Sequence, residues 1–118
     1  MRKMLINAPA RGDLESIDNY LRIEKCNPQA ADHFASEVRK AYDSVFGSPL
    51  AFHLCPDRHL AARGYRPVKV MRYIMLYRYD EQADIIHIIR FFHELQDYAN
   101  ILSEVVAMVK NGGTGEHY

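Results

Sequence analysis

The sequence lacks an excess of charge of either sign. Its 15 Lys and Arg residues balance 15 Asp and Glu residues over 118 residues, so the formal net charge is zero. A neutral chain has no overall field that would concentrate it on nucleic acid or on an anionic membrane. Any binding to a polyanion must therefore come from a local group of side chains.

Cysteine is scarce, and the histidines are scattered. Cys26 and Cys55 are the only cysteines and form no Cys-x-x-Cys pair. The N-terminus does not resemble a signal peptide, so we expect a cytoplasmic protein with both thiols free. No His-x-x-His spacing occurs, and His53, Cys55 and His59 form only a loose group. We therefore predict no metal site and no cofactor.

Long apolar runs are missing as well. The longest are about the length of one strand, far below the roughly 20 residues of a membrane-spanning helix, so we do not expect a membrane protein. The chain is long enough for one hydrophobic core and too short for two ordinary domains. We predict a single domain over residues 1–110, followed by a polar, glycine-rich and flexible tail at 111–118.

Apolar residues recur at helical spacing in two neighbouring segments. The first segment follows a short apolar strand at 4–6 and should end near Cys26. Asn27 followed by Pro28 is typical of the cap and first residue of a new helix. The second segment ends at Gly47, so the two segments predict a helical hairpin. The predicted buried positions are Leu14, Ile17, Leu21, Phe34, Val38, Ala41 and Val45.

A different pattern follows Gly64, after a predicted ordered loop at 48–63. Segments at 68–70, 73–79 and 85–92 are rich in β-branched and aromatic residues and predict three antiparallel strands. Their apolar runs continue on both faces, which predicts helices on one face and another cover on the second.

Helical spacing returns from Tyr98 to Val109 and predicts a third helix with a wide apolar stripe. The fold class is therefore α+β, with a helical hairpin packed on a twisted, mainly antiparallel sheet in the order β-α-α-β-β-β-α.

The segment from Gly64 to Leu102 contains short motifs in a defined order. These are Gly64-Tyr65-Arg66, Val68, Val70, Tyr73 to Tyr79, Ile86 to His93 and Asp97-Tyr98. Their order and spacing resemble the signature of the RelE/ParE superfamily, the toxins of bacterial type II toxin–antitoxin systems, including ParE-like plasmid stabilization toxins. The resemblance begins at Met4 and implies a twisted sheet that embraces a helical hairpin, which the hydrophobic pattern predicts independently.

The resemblance also implies a protein partner. Toxins of this superfamily are neutralised by a cognate antitoxin, whose extended or helical segment lies across the sheet and its hydrophobic grooves. Such a segment would cover the apolar residues on the second face of the sheet. A homodimer that covers the same surface is the alternative explanation.

Two target classes divide the superfamily. RelE-like members are ribosome-dependent mRNA endonucleases, and ParE-like members poison DNA gyrase. RNA cleavage needs a base, an acid and cations around the phosphate, and histidine can supply the acid or the base near neutrality. The resemblance makes His93, Arg90, Arg66 and Tyr98 the catalytic candidates. The candidates for binding the target or the antitoxin are Arg72, Arg78, Tyr77 and Lys69.

Two departures from the RelE pattern favour a ParE-like toxin. Ile74 stands where that pattern has an arginine, directly after the tyrosine that opens the third strand. The terminal motif usually resembles His-x-Arg-Arg-Asp, whereas this chain has His93-Glu94-Leu95-Gln96-Asp97. The terminal motif thus lacks two cations, Glu94 adds an anion, and the neutral chain is unlike a protein bound to ribosomal RNA. If the chain is an enzyme, it is an mRNA endoribonuclease.

A third hypothesis is a non-toxic, homodimeric binding module that kept only the fold, since fold alone does not fix function. This hypothesis gains if the C-terminal helix packs in cis on the sheet face that antitoxins occupy. A neighbouring open reading frame for a DNA-binding antitoxin would argue against it.

The sequence does not decide which faces of the sheet two strand arginines occupy. Arg78 and Arg90 share a face if Asp80 pairs with Asp84, and lie on opposite faces if the register shifts by one residue. Each arginine is as readily a structural partner of a carboxylate, such as Asp80 or Glu94, as a functional group.

Three tyrosines alternate along one predicted strand and therefore share a face. For Tyr73, Tyr77 and Tyr79, a core position with the hydroxyl at the rim is favoured over stacking on nucleic-acid bases.

Overall fold

The structure is a computed structural model that describes residues 1–102. It contains one four-stranded sheet in the order β1-β4-β3-β2. Strand β1 is parallel to β4, and the other two pairings are antiparallel. The predicted α+β fold with a mainly antiparallel sheet is confirmed. The strands are β1 (Lys3–Ile6), β2 (Tyr65–Val70), β3 (Tyr73–Asp80) and β4 (Ile85–His93).

The predicted helical hairpin consists of α1 (Ala8–Asn19), which continues into a π-helical turn at Tyr20–Glu24, and α2 (Pro28–Gly47). Oδ1 of Asn27 accepts a hydrogen bond from the backbone N–H of Ala30 at 3.1 Å, so Asn27 caps α2 as predicted. The residue between the two helices, Cys26, has a φ of +49° and lets the chain reverse. The predicted burial of Phe34, Val38, Ala41 and Val45 on α2 is confirmed.

One face of the sheet, called the first face below, packs against the hairpin. Tyr73, Met75 and Tyr77 of β3 and Ile86 and Ile88 of β4 are all buried there. The prediction that the strand tyrosines belong to the core is confirmed for this face. The hairpin and the first face therefore form the main core of the protein.

The opposite face, called the second face below, has its own smaller cluster. This cluster contains Cys55, Leu60, Leu76, Phe92 and Leu102, and it is covered by segment 48–63 and by helical residues 98–102. The expected second cover is thus supplied, at least in part, by the chain itself. The remainder of the predicted third helix and the predicted tail at 111–118 lie outside the described residues.

The prediction of an aperiodic loop at 48–63 was wrong for one stretch, because this segment contains the short helix α3 (Arg58–Ala62). Oδ1 of Asp57 accepts hydrogen bonds from the N–H groups of His59 and Leu60, at 2.9 and 3.1 Å, and caps this helix. Five residues are too few to show a helical period, so Asp57 after Pro56 was the only available signal.

The strand register differs from both of the simple alternatives. Asp80 pairs with Ile85, and an irregularity between Leu76 and Tyr77 then shifts the pairing by one residue. The bulge makes Leu76 the partner of Arg90, so by pairing Arg90 belongs to the face of Leu76 and Arg78.

Within residues 1–102, no helix has both the length and the apolar character needed to cross a bilayer.

Candidate functional site

His93 ends β4 and lies against Tyr73, with the two ring centroids 5.3 Å apart and the rings nearly perpendicular. Nδ1 of His93 accepts a hydrogen bond from the backbone N–H of Leu95 at 3.1 Å. Because an amide N–H can only donate, Nδ1 carries the lone pair and the neutral ring carries its proton on Nε2. The nitrogen that would act as a base is thus engaged in a local turn.

Arg90 is held by a carboxylate from the hairpin. Its Nε and Nη2 donate to the two oxygens of Asp13 at 2.7 and 3.0 Å. The backbone N–H of Phe91 donates to the same carboxylate at 2.9 Å. These hydrogen bonds to Asp13 raise the pKa of Arg90 further above its ordinary value. Arg90 therefore joins α1 to β4, and its charge is already neutralised. Of the two alternatives left open for Arg90, the structure shows a carboxylate partner, which is Asp13 and neither Asp80 nor Glu94.

Tyr98 lies on the second face. Its ring stacks on Phe92 with the centroids 5.7 Å apart, and it packs against the cluster that contains Cys55. Burial, together with the neighbouring Cys55 thiol, raises the pKa of Tyr98 to about 12. A phenol with this pKa stays protonated near neutrality and is part of the cover over the second face.

Arg66 and Tyr77 face each other across β2 and β3, on the first face. Nη1 of Arg66 donates to the carbonyl oxygen of Phe52. Tyr77 is fully buried, and its hydroxyl donates to the carbonyl oxygen of Pro49 at 2.6 Å. Burial raises the pKa of Tyr77 to about 12. Both side chains hold segment 48–63 against the sheet, and Tyr77 has no surface with which to contact a partner.

The four catalytic candidates are not brought together. Arg66 is the strand partner of Tyr77, and His93 is the strand partner of Tyr73. These two tyrosines are four residues apart on β3, which separates them by about 13 Å along the strand. Tyr98 is on the other face of the sheet, and Arg90 is paired with Asp13. The acid, base and cations of a phosphodiester-cleaving site therefore do not face one common space in this arrangement.

Two of the binding candidates do meet, at the corner where the β2–β3 turn lies beside the end of β4. Nζ of Lys69 is 3.2 Å from Oε2 of Glu94, and Nη1 of Arg72 is 3.7 Å from Oε1 of the same carboxylate. We call these three residues the Glu94 corner.

Arg78 lies at the opposite end of the sheet and pairs with His87 on β4. Gly64 lies beside its side chain, and the φ of +82° at Gly64 is in the left-handed region that favours glycine, whereas a Cβ there would make only an ordinary contact with Cγ of Arg78 at 3.7 Å. Burial and then the charge of Arg78 lower the pKa of His87, whereas Asp80 raises it. The ion pairs formed within residues 1–102 do not include Arg78.

A groove of about 540 Å³ lies between α1 and α2. The partly buried Leu14 and the core residues Phe34 and Val38 line its apolar part, and Asp18 and Arg39 supply charge. The hydroxyl of Tyr42, another lining residue, is buried without a hydrogen-bond partner among the described residues, and burial raises its pKa. Apolar surface with a few charged groups is typical of a surface that receives an amphipathic segment.

The loose group of His53, Cys55 and His59 does not form a cluster. His53 has its Nδ1 against the carbonyl of Leu54, and Cys55 is buried in the second-face cluster. Among residues 1–102, no group of three or more metal-ligating side chains is gathered.

Sequence reasoning missed the two carboxylates that organise these surfaces. Asp13 was not singled out, and Glu94 was noted as an extra anion and as one alternative partner of Arg78 or Arg90, but not of Lys69 and Arg72. Their cationic partners come from other elements, so spacing along the chain gave no signal for the pairs.

Comparison with known proteins gives a consistent result. The sequence model of the ParE toxin of type II toxin–antitoxin systems, parDE, matches residues 5–98. The fold is similar to a chain of the toxin–antitoxin complex RelBE2 from Mycobacterium tuberculosis, with 20% identity and a TM-score of 0.55 over 78% of this chain and 96% of that chain. It is also similar to a chain of the chromosomal ParDE system from P. aeruginosa, with 16% identity and a TM-score of 0.61 over 79% of this chain and 96% of that chain.

At these identities the structural likeness shows the fold alone, and no curated protein matches the sequence. The family model, by contrast, spans most of the chain. The protein belongs to the ParE toxin family of type II toxin–antitoxin systems.

Proposed function

We propose that this chain is a ParE-like toxin that acts in the cytoplasm by inhibiting a topoisomerase such as DNA gyrase. The observation that carries the proposal is the separate engagement of all four catalytic candidates. His93 is held by Leu95, Arg90 by Asp13, and Tyr98 by Phe92, while Arg66 binds a loop carbonyl. A protein-directed toxin needs surfaces, whereas an RNA-cleaving toxin needs a gathered acid, base and cations.

The proposal includes a cognate antitoxin, and with it a role in plasmid stabilization. The groove between α1 and α2 offers apolar surface with charged residues, which suits an amphipathic antitoxin helix. Arg78 and the half-exposed Leu5 on the second face offer a cation beside apolar surface for a further antitoxin segment.

Induction of this chain alone in a bacterial host tests the proposed target. We expect DNA breaks and an SOS response, and we expect co-induction of an antitoxin encoded beside the gene to prevent both. Mapping of mRNA ends in the same cells is the discriminating measurement. Codon-dependent mRNA cuts without DNA breaks would support the RelE-like alternative, particularly if His93→Ala abolished them in a folded protein.

One observation favours a second candidate function, the non-toxic binding module. Residues 98–102 pack in cis on the second face, where Leu102 is buried against the cluster around Leu76 and Phe92. This packing covers surface that an antitoxin would otherwise occupy. If the lone chain causes neither DNA breaks nor mRNA cuts and sediments as a homodimer, this second candidate replaces the first.

A further inference from the structure

The Glu94 corner places one carboxylate between two highly exposed cations. The side chains of Lys69 and Arg72 are 69% and 80% exposed, whereas that of Glu94 is only 26% exposed. Each carboxylate oxygen of Glu94 faces a different cation, Oε2 towards Lys69 and Oε1 towards Arg72. Glu94 is therefore a shared counterion, lying deeper than the two groups it neutralises.

The backbone fixes Glu94 in this position. Its N–H donates to the carbonyl oxygen of Arg72 at 2.8 Å, which extends the pairing of β3 and β4 by one residue. The turn that follows is held by two hydrogen bonds of His93, one from its backbone and one to its ring. The N–H of His93 donates to Oε1 of Gln96 at 2.8 Å, and its Nδ1 accepts from Leu95 at 3.1 Å. The carboxylate is thus held at the corner by main-chain geometry and does not depend on its weak, exposed ion pairs.

Without this carboxylate, the corner would carry two unpaired cations, Lys69 near the end of β2 and Arg72 in the β2–β3 turn. Exposed lysine and arginine side chains grouped in this way are what phosphodiester backbones bind, through charge and without reading sequence. The rest of the chain, having no net charge, adds no attraction for a polyanion. The charge of one residue therefore decides whether this corner accepts phosphates.

We propose that Glu94 is a specificity-determining residue that closes a cationic site at this corner to nucleic-acid phosphates. The inference goes beyond the proposed target, because it concerns the class of ligand that this surface rejects and holds for any protein target. In this account the corner remains available to a protein partner, whose carboxylate could replace Glu94 on either cation, and is closed to RNA and DNA.

Fluorescence anisotropy with a labelled single-stranded oligouridylate tests the proposal on the purified full-length chain. Glu94→Gln keeps the shape of the side chain and removes its charge. We expect it to bind the RNA roughly tenfold more tightly than the wild type at low salt. We also expect the slope of the logarithm of the binding constant against the logarithm of the salt concentration to be steeper by about 1.4, the value for two single-strand phosphate contacts.

Three further variants make the result specific. Glu81→Gln changes the net charge equally in the exposed β3–β4 turn, at the opposite end of the strands, and should bind as the wild type does. Glu94→Asp keeps the charge and should also bind as the wild type does. Adding Lys69→Gln and Arg72→Gln to Glu94→Gln should remove the gain.

The proposal is wrong if Glu94→Gln binds RNA no more tightly than Glu81→Gln, or if the gain survives loss of both cations. Circular dichroism of each variant identifies loss of fold. If Glu94→Gln is unfolded, Glu94→Ala also removes the charge and takes its place: tighter RNA binding than that of Glu81→Gln supports the proposal, and equal binding contradicts it. These results are independent of the toxin's target, so failure here leaves the proposed function standing.

Discussion

The two faces of the sheet are covered to different extents. The hairpin covers the first face, where Met75, Tyr77 and Ile88 have no exposed surface. The second face is covered over the cluster around Leu76 and Phe92, while Leu5 in the edge strand β1 remains 48% exposed. The comparison separates two roles. The first face supplies most of the stability, and the half-covered second face and its edges hold the groups that can still contact a partner.

The largest expected effect tests the first face. Ile88→Ala removes a fully buried side chain beneath the hairpin and should lower the free energy of unfolding by about 3 kcal/mol, because the packed surroundings cannot fill the cavity. Leu5→Ala on the other face should cost about 0.5 kcal/mol or less, because Leu5 already meets solvent. Urea unfolding measures both free energies. Equal losses in the two variants would contradict the different roles of the two faces.

A smaller effect is expected at the pair that joins hairpin and sheet. Asp13→Asn weakens its three hydrogen bonds with Arg90 and Phe91 and leaves a half-buried guanidinium without its counterion, which should cost about 2 kcal/mol. The matched control is Asp18→Asn in the same helix, whose partner Arg22 is solvent-exposed, so its effect should be much smaller.

This pair also separates a catalytic from a structural arginine. If Arg90 only positions β4, Arg90→Gln and Asp13→Asn should reduce toxicity to the same extent and only as far as stability falls. If the two variants are equally stable and only Arg90→Gln loses toxicity, Arg90 has a functional role beyond positioning β4.

The smallest expected effect is the pH dependence of the second face. Burial and Arg78 lower the pKa of His87 in the folded protein, so the unfolded chain binds more protons as the pH falls through the ordinary histidine range near 6.5. His87 therefore destabilises the fold progressively below about pH 6.5. Urea unfolding at pH 7 and pH 5 measures how much the free energy of unfolding falls between the two. His87→Gln should lose less than the wild type. Arg78→Gln should lose only slightly less than the wild type, because the burial of His87 remains. An unchanged pH profile in His87→Gln would contradict this assignment.

The elements of the fold follow from local signals. Helical spacing predicts the buried side of α2, Asn27 and Pro28 predict its start, and runs of β-branched and aromatic residues predict β2, β3 and β4. These signals are readable because each arises from residues close together in the sequence. The parallel pairing of β1 with β4 has no such signal, since its partners are about 80 residues apart.

The chemistry of the surfaces was predictable only in part. The resemblance indicated the residues that matter, but their state depends on contacts between distant elements. Arg90 meets Asp13 across 77 residues, and the bulge beside Leu76 changes which face Arg90 belongs to. A single inserted residue in a ladder reverses the alternation of side chains, and nothing in the composition of β4 marks the position.

The most direct test of the central claim is a DNA gyrase supercoiling assay with the purified chain. We expect the chain to stop supercoiling of relaxed plasmid or to trap cleaved DNA on gyrase, and to leave mRNA intact in a translating ribosome extract. Unimpaired gyrase together with codon-dependent mRNA cleavage in the extract would contradict it.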